Sequence, residues 1–475
     1  MEKFQTNCAS DVLLDLAGPG GPLHVQLTRA MREAIRSGRL QAGSTLPPSR
    51  RLASELGCSR WVVTEAYAQL AAEGYVTAAA GSGTRVRDVS GEATRDQPLP
   101  AAPETAGSAR VLLDLAPGLP EVRAFPMRQW ISAVRSAAAG MASADLGYPD
   151  PAGHPYLRQV LAGYLARVRG AEADAANLVI TAGATDAIGL LCRVLRMCGH
   201  SAVAVEHPGW HRLREVLTTA GLGAVPIPVD DQGLRAGLLY GHDAVRAVIV
   251  SPAHQFPAGV VMSPQRRAML LAWARDSGGL IIEDDYDAEF RYDRRPVGVL
   301  QGAGQSSVAL IGSVTKTLSP AMGVGWMVTP PGVTPLVRAA IVRPSGPPVI
   351  DQLAFAAFLR SGHYDRHLRA ARIRYRARRS RLVEAIATHL PDCRITGAAA
   401  GLHMLMHLPA GADAASAARL ALAAGVKVAN LDIYTFTPIP HEPALVLGYG
   451  NLGDHQVEPA VARLELAIRG ATSSP

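Results

Sequence analysis

The sequence predicts a chain of two parts, an N-terminal winged helix-turn-helix and a larger α/β domain with a mostly parallel sheet and helices on both faces. Three observations carry this prediction. Short amphipathic segments and two strand-like segments occupy residues 1–89. From residue 111 onward, apolar runs of strand type alternate with Ala- and Leu-rich helical segments. Residues 90–110 are rich in Pro, Ala and Gly without apolar periodicity, which indicates a flexible linker.

The composition excludes several classes of protein. With 48% hydrophobic and 18% charged residues, the chain reads as globular rather than disordered. It has neither a long apolar run nor a signal-peptide pattern, so we expect a cytoplasmic protein with no membrane contact. Five scattered cysteines form no CxxC pair, which predicts free thiols and no metal site.

The N-terminal helices follow from apolar spacing and capping residues. Leu27, Met31 and Ile35 recur every four residues and predict a helix over residues 23–40. Ser49 is the expected N-cap of a short second helix, and Ser59 is the expected N-cap of a third.

Glycines and short strands complete this module. Gly57 and Gly74 are expected to end the second and third helices. Residues 75–77 and 84–86, on either side of a Gly-Ser-Gly turn, predict a two-stranded wing.

The same segment predicts binding to double-stranded DNA. Nine arginines and only four glutamates lie between His24 and Arg87. In a helix-turn-helix the second helix of the motif enters the major groove, and arginines with helix N-termini contact phosphates. The residues placed for such contacts are Arg50, Arg51, Ser59, Arg60, Trp61 and Thr64.

In the C-terminal part, residues 311–328 (IGSVTKTLSPAMGVGWMV) are the most informative segment. A strand delivers Ser313 and Thr315, Lys316 follows, and a turn rich in Pro and Gly comes next. A lysine in these surroundings can form a Schiff base with a carbonyl cofactor.

A second segment, residues 279–292 (GLIIEDDYDAEFRY), ends a buried strand in acidic residues and a tyrosine. Open α/β sheets bind their ligands at such strand ends. An acid there could lie against a pyridinium nitrogen, or the acids could form a solvated cluster. A metal is disfavoured because no histidine accompanies the acids within ligand spacing.

Three further strand ends carry polar or aromatic groups. Residues 178–187 (LVITAGATDA) run into a helix start that suits a phosphate. Residues 205–212 (VEHPGWHR) bring Trp210 to a place where it could stack on a flat ring. Residues 251–259 (SPAHQFPAG) place His254 in another such loop.

Two resemblances sharpen these expectations. Residues 22–86, from PLHVQLTRAMREAIRSGRL to YVTAAAGSGTRV, resemble the GntR-type winged helix along their whole length. The five C-terminal segments together resemble a fold-type I, pyridoxal-phosphate-dependent aminotransferase, in the MocR version fused to a GntR-type head. The resemblance implies a mostly parallel sheet plus a smaller C-terminal α+β subdomain, bound pyridoxal 5'-phosphate and a head-to-tail homodimer.

The resemblance also implies roles for single residues. Lys316 would carry the cofactor and act in any catalysis. Asp284 would pair with the pyridine nitrogen, and Tyr286 would lie near the phenolic oxygen. The other implied cofactor contacts are Trp210, Ala184, Thr185, Ser313, His254 and, across the dimer interface, Tyr148. Arg212 matches a position that holds the acidic group of an effector. In the head, the matching positions for DNA contact are Arg50, Arg60 and Gly74.

Several departures from the family pattern bear on function. Gly323 replaces the arginine that grips the cofactor phosphate, a loss of about 1.5–3 kcal/mol of affinity. Thr185 and Asp186 replace a Gln-Gln pair, and Val446 replaces the arginine that binds substrate carboxylates in true aminotransferases. Residues 366–381 hold eight arginines and no acid, which fits either a solvated interdomain helix or an auxiliary DNA contact.

The sequence therefore favours a transcription regulator whose pyridoxal-phosphate domain senses a small amino compound or pyridoxal phosphate itself. The alternative is a pyridoxal-phosphate-dependent aminotransferase with a DNA-binding appendage, which Val446 argues against. A third possibility, suggested by Gly323, is a regulator that has lost the cofactor.

Overall fold

The computed structural model describes residues 21–79, 83–88, 113–292, 297–342, 346–397, 399–438 and 441–472. The chain divides into two compact units, Met1–Gly107 and Ser108–Pro475. The predicted linker, residues 90–110, lies outside the described residues.

The N-terminal unit is a winged helix-turn-helix. Its elements are α1 (Leu23–Arg36), α2 (Ser49–Glu55), α3 (Arg60–Ala72), β1 (Val76–Ala79) and β2 (Gly83–Val86). β1 and β2 pair antiparallel, with Val76 opposite Val86. The three helices and the wing share one core, and the Gly81-Ser82 part of the predicted turn lies outside the described residues.

One predicted cap in this unit is wrong. Ser49 is the first residue of α2, and the extended Pro48 occupies the N-cap position. The Ser49 hydroxyl instead accepts a hydrogen bond of 3.3 Å from Nε of Arg60. Ser59 occupies the N-cap of α3 as predicted, with extended backbone, although its side chain makes no capping hydrogen bond.

The C-terminal unit is built on an eight-stranded sheet. Its strands along the chain are β4 (Leu178–Thr181), β5 (Ala202–His207), β6 (Gly223–Asp230), β7 (Gly233–Leu234), β8 (Ala247–Val250), β9 (Leu280–Asp284), β10 (Val308–Ser313) and β11 (Gly325–Val328). The order across the sheet is β4-β11-β10-β9-β8-β5-β6-β7. The five central strands β10, β9, β8, β5 and β6 are parallel, while β11 and β7 run antiparallel to their neighbours.

Helices cover both faces of this sheet. They are α4 (Met127–Gly140), α5 (Pro155–Arg169), α6 (Ala184–Met197), α7 (Leu213–Thr219), α8 (Pro264–Ser277), α9 (Thr334–Ala340), α10 (Val349–Arg360) and α11 (His363–His389). Alternate residues of β5 enter different cores. Val203 and Val205 pack in the core that contains α6, and Ala204 packs in the core that contains Trp273 of α8. A strand buried on both faces explains why these runs are apolar throughout.

A smaller C-terminal α+β subdomain completes the unit, as predicted. Its strands are β12 (Arg394–Thr396), β13 (His403–His407), β14 (Val426–Lys427), β15 (Ala429–Asn430) and β16 (Ala444–Gly448), with helices α12 (Ala414–Ala423) and α13 (Val457–Thr472). The antiparallel sheet has the order β12-β13-β16-β15. β14 pairs in parallel with β3 (Leu113–Asp114), so the beginning of the unit joins its end.

The arginine-rich segment lies in the long helix α11, which packs against both α10 and α13. One side of α11 is solvated, as predicted, with Arg366, Arg369, Arg376 and Arg381 exposed. Leu368, Tyr375 and Leu382 bury one side of α11 in the main core of the unit. Arg378 is buried as well, and its guanidinium contacts Asp454 at 2.9 Å and Glu121 at 3.2 Å. The buried charge of Arg378 therefore stabilises the unit. Among the described helices, none has the length and apolarity needed to cross a bilayer.

Candidate functional site

A cavity of about 290 Å³ opens at the carboxyl ends of the parallel strands. Its walls come from the loops that follow β4, β5, β9 and β10, which contribute Ala184, Trp210, Tyr286 and Lys316 respectively. Parallel strands place their carboxyl ends along one edge of a sheet, so segments far apart in sequence meet there.

Lys316 points its amine into a buried part of this cavity. Its Nζ donates a hydrogen bond of 2.6 Å to the carbonyl oxygen of Gly118. Burial lowers the pKa of the lysine, and the nearby carboxylates of Asp287 and Asp284 oppose that shift. A lysine whose neutral form is favoured by burial is a competent nucleophile toward a carbonyl group.

Asp284 ends β9, and its Oδ1 is buried without a hydrogen-bond partner among the described residues. Burial, followed by repulsion from Asp285, raises the pKa of Asp284 to about 7, while Lys316 acts to lower it. A buried oxygen of this kind calls for an N–H donor. The protonated nitrogen of a pyridine ring is such a donor, so Asp284 fits the cofactor that the fold family implies.

The side of the cavity predicted to hold a phosphate is formed by residues 182–185 and by the end of β10. Gly183 precedes α6 with φ of 133°. Gly325 of β11 lies so close to Gly183 that a Cβ added to Gly325 would lie 2.5 Å from the Cα of Gly183. The Ser313 hydroxyl lies 2.7 Å from that of Thr315. The backbone N–H groups at the start of α6 and these two hydroxyls suit a phosphate.

Two of the departures from the family pattern, Asp186 and Gly323, lie at this turn and change its contacts. The Asp186 carboxylate accepts a hydrogen bond of 3.1 Å from the backbone N–H of Ala182, so it caps the turn itself. Gly323 has φ of +56°, and among the described residues only Ala182 O, 4.0 Å away, lies near the place of its missing side chain. Of the described residues that line the cavity, Lys316 is the only lysine or arginine.

The structure brings some of the remaining predicted contact residues to the cavity and leaves others outside its lining. Trp210, Ala184, Thr185, Ser313 and Tyr286 line the cavity. His254 lies outside the lining, with its Nδ1 3.2 Å from the Tyr286 hydroxyl. Arg212 is an exposed residue at the start of α7, and Tyr148 is fully exposed.

Sequence reasoning missed several residues at the site, and four of these bring polar groups to the cavity. Gly118, Glu206, Asp287 and His403 all line the cavity. Glu206 lies at the end of β5, just before the loop that carries Trp210, and this position could have identified it. Gly118 and His403 lie far away in sequence and carry no such signal. Burial raises the pKa of Glu206 to about 8, and its Oε1 has no partner among the described residues.

Val446 lies in β16 and is fully buried in an apolar cluster with Leu405 and Tyr434. The position that holds a substrate carboxylate in aminotransferases therefore carries no charge here.

In the N-terminal unit, the predicted DNA contacts other than Gly74 lie in α2 and around the start of α3, and Gly74 lies just after the end of α3. Arg50, Arg51, Ser59, Arg60, Trp61 and Thr64 are all exposed, and Gly74 is partly exposed with φ of +81°. The Trp61 ring is 60% exposed and meets the edge of His24 at a centroid distance of 5.2 Å. An exposed helix start flanked by arginines is the geometry of major-groove recognition.

Comparison with known proteins agrees with both units. Residues 23–86 match the family "Bacterial regulatory proteins, gntR family", and residues 112–464 match "Aminotransferase class I and II". The chain is 32% identical over 394 residues to the HTH-type pyridoxine biosynthesis transcriptional regulator PdxR of Corynebacterium glutamicum, which covers 80% of this chain and 82% of that protein. It is 30% identical over 471 residues to the probable rhizopine catabolism regulatory protein MocR of Rhizobium meliloti, with 95% of each chain covered.

Among solved structures, an archaeal alanine:glyoxylate aminotransferase matches with a TM-score of 0.69 and 26% identity, over 75% of this chain and 91% of that chain. A winged helix-turn-helix joined to an aminotransferase-like fold defines a class of DNA-binding transcription regulators. This chain belongs to that class, in the MocR-type subfamily of the GntR regulators.

Proposed function

We propose that this regulator binds pyridoxal 5'-phosphate in the cavity at Lys316 and uses the loaded domain to sense a small amino compound or pyridoxal phosphate itself. The observation that carries the proposal is the buried, unpartnered Oδ1 of Asp284 in the cavity that Lys316 enters. Without a cofactor this oxygen has no hydrogen-bond donor among the described residues, whereas a pyridinium nitrogen would donate a hydrogen bond to it.

The residues of this chain divide the work of holding the cofactor. Lys316 would form the covalent link, Asp284 would keep the ring nitrogen protonated, and Trp210 would stack on the ring. Tyr286 would donate its hydroxyl proton toward the phenolic oxygen, with His254 behind it. The start of α6 at Ala184 and Thr185, together with Ser313, would hold the phosphate. When bound, the cofactor supplies a carbonyl carbon that reacts with amines and a ring that withdraws electrons.

Sensing requires that the effector bind two arrangements of the protein with different affinities. We propose that Arg212, exposed beside the cavity residue Trp210, holds the acidic group of the effector. The apolar surroundings of Val446 support sensing rather than steady turnover, because no arginine there fixes a substrate carboxylate.

The output is binding to an operator in double-stranded DNA. We propose that Arg50, Arg51, Ser59, Arg60, Trp61, Thr64 and Gly74 contact it, and that the protein works in the cytoplasm as a head-to-tail homodimer. In this dimer the exposed Tyr148 would reach the phosphate in the partner subunit. The division of labour follows the predicted boundaries, with DNA binding in residues 1–89, a linker in residues 90–110 and sensing in residues 111–475.

The cofactor can be tested directly because the sequence contains only three lysines, Lys3, Lys316 and Lys427. Purified full-length protein is incubated with pyridoxal phosphate, reduced with borohydride, digested and mapped by mass spectrometry. We expect the label at Lys316, and we expect the visible absorption band of the bound cofactor to disappear in Lys316→Ala and to persist in Lys427→Ala. A protein with no visible band and no label on Lys316 would contradict the proposal and favour a cofactor-free regulator.

A second candidate, a working aminotransferase with a DNA-binding appendage, is favoured by the complete lysine and aspartate pair in the cavity. It predicts steady conversion of an amino acid and a keto acid by the loaded protein. A single turnover at most, together with a change in operator affinity on adding the amino compound, would identify the sensor.

A further inference from the structure

We propose that His254, Asp287 and His403 form a binding site for a divalent transition metal of the zinc class, next to the cavity. One ligand atom from each side chain lies within 4.8 Å of the other two, and all three residues are buried. His254 follows β8, Asp287 follows β9, and His403 begins β13. A metal there would link the large sheet to the smaller C-terminal subdomain.

His254 is held on one side only. Its Nδ1 lies 3.0 and 3.1 Å from the two carboxylate oxygens of Asp287. Its Nε2 is buried and has no hydrogen-bond partner among the described residues. Since the Nδ1 proton faces the carboxylate, Nε2 carries the lone pair of the neutral ring.

His403 repeats this arrangement. The backbone carbonyl of Pro257 accepts a hydrogen bond from the ring, and Nε2 is again buried without a partner in the described chain. The donor is therefore Nδ1, and the lone pair of His403 also lies on Nε2. The two rings approach each other with centroids 4.7 Å apart.

In each imidazole, one nitrogen is hydrogen-bonded to an oxygen and the other nitrogen is free. Histidines that bind metals are in this state. A proton added to either Nε2 would find no acceptor among the described residues, whereas a metal ion accepts lone pairs. Both rings would bind the ion through Nε2, while Asp287, hydrogen-bonded to Nδ1 of His254, would orient that ring from outside the coordination sphere. Small side-chain movements, on the order of 1 Å, would bring the donor atoms to the separation that a tetrahedral ion requires.

The backbone opposite the cluster keeps it compact. Gly401 has φ of +65°, and a Cβ there would lie 2.1 Å from Cε1 of His254 and 2.3 Å from Oδ2 of Asp287. The hydroxyls of Tyr449 and Tyr292 donate hydrogen bonds to the Gly401 carbonyl and fix this turn. Asp287 and His403 also line the cavity, so the remaining coordination positions would face the cavity.

The test uses untagged full-length protein that has been stripped with a chelator and kept free of pyridoxal phosphate. Zn²⁺ binding is measured by calorimetry, and Co²⁺ binding is measured by visible absorption. We expect one ion per chain and a cobalt spectrum with nitrogen ligands. His254→Ala and His403→Ala should each weaken binding by at least about tenfold. His407→Ala, on the same strand β13, is the matched control and should bind like the parent protein.

Asp287→Asn keeps the size of the side chain and removes its charge, so it should also weaken binding if the protein stays folded by circular dichroism. The proposal is overturned if stripped protein binds no stoichiometric metal, or if binding survives unchanged in both histidine variants. The first outcome would mean that water or a shared proton occupies the cluster, and the second would place the metal elsewhere, for example at the exposed Cys198. Neither outcome bears on whether Lys316 carries the cofactor.

Discussion

Glu206 is the next-to-last residue of β5, and its carboxyl group lies almost wholly inside the protein. Burial raises its pKa from 4.5 to about 8, although hydrogen bonds from Ser251 N–H and Gln255 oppose the shift. In the unfolded chain the group ionises near its ordinary pKa. Its contribution to stability is therefore complete below about pH 4.5 and is lost as the pH rises through about 8.

We expect Glu206→Gln, which has the same size but does not ionise, to flatten this pH dependence. Between pH 6 and pH 9, the loss in free energy of unfolding should be smaller in the variant by on the order of 2 kcal/mol. Urea unfolding at the two pH values measures the difference. Glu384→Gln, exposed on α11, is the control and should follow the parent protein. Parallel pH profiles for the parent and Glu206→Gln would show that Glu206 ionises freely.

Gly323 leaves room for a side chain beside the phosphate turn. We expect Gly323→Arg to increase affinity for pyridoxal phosphate about tenfold or more, because a charge-assisted contact contributes about 1.5–3 kcal/mol. The left-handed backbone at this position should lower the free energy of unfolding of the variant by about 1–2 kcal/mol, whether or not the cofactor is bound, since only glycine adopts it without strain.

Absorbance titration with pyridoxal phosphate and with unphosphorylated pyridoxal measures the gain. Gly323→Ala adds the strain without the charge and should bind both compounds no better than the parent. An equal gain for both compounds in Gly323→Arg would refute a phosphate contact.

Single residues at the ends of strands could be predicted from the sequence. Residues that come to the site only when distant segments fold together could not. Lys316, Asp284 and Trp210 each follow a buried apolar strand, and the shared edge of a parallel sheet brings them together. Gly118 contributes a backbone carbonyl, for which no side chain gives a signal. His403 joins Asp287 through the packing of two sheets, so the absence of a histidine near the acids in sequence did not exclude a histidine near them in space.

At the scale of elements, α3 carries the prediction for DNA. Arg60 lies at its exposed first turn, and its Nε contacts only the Ser49 hydroxyl at 3.3 Å among the hydrogen bonds of the described chain. We expect Arg60→Ala to weaken operator binding and, if Arg60 contacts a phosphate, to reduce the slope of log affinity against log salt by about one.

Fluorescence anisotropy at several salt concentrations makes this measurement. Arg29→Ala removes an exposed arginine of α1, and its affinity should change little. Equal losses in the two variants would indicate a general charge effect instead of a contact made by α3.

The strands and helices were predicted well where their apolar pattern is continuous. The apolar runs 178–181, 279–283 and 308–312 each predict a strand. β4 has the bounds of the first run, and β9 and β10 differ from the other two by one residue at their ends. Strand direction was less accessible, because a strand buried on both faces looks the same whether it runs parallel, as β10 does, or antiparallel, as β11 does. The wrong cap at Ser49 has a local cause, since Pro48 already supplies the extended residue before the helix.

For the whole molecule, the proposed dimer predicts that each site draws on both chains. Tyr148 is fully exposed in the single chain, and Lys316 lies in the cavity. If Tyr148 serves the partner's site, a heterodimer of one Lys316→Ala chain and one Tyr148→Ala chain contains one intact site. If it serves its own chain, the heterodimer contains none.

The measurement is the visible cofactor band of the co-expressed, doubly tagged heterodimer at a limiting concentration of pyridoxal phosphate. We expect about half of the parent's bound cofactor, well above that of the Tyr148→Ala homodimer. A heterodimer that binds no more than this homodimer would place Tyr148 outside the partner's site.

The pairing of β4 with β11 also determines when this protein can become functional during its synthesis. Thr181 lies opposite Gly325, so β4 leaves the ribosome about 150 residues before its partner strand exists. At 5–20 residues per second this delay lasts about 7 to 30 seconds. The helices and the wing of the N-terminal unit contact neighbours close in sequence and need no such wait. We expect a growing chain to present a finished DNA-binding fold while its sensing fold is still incomplete.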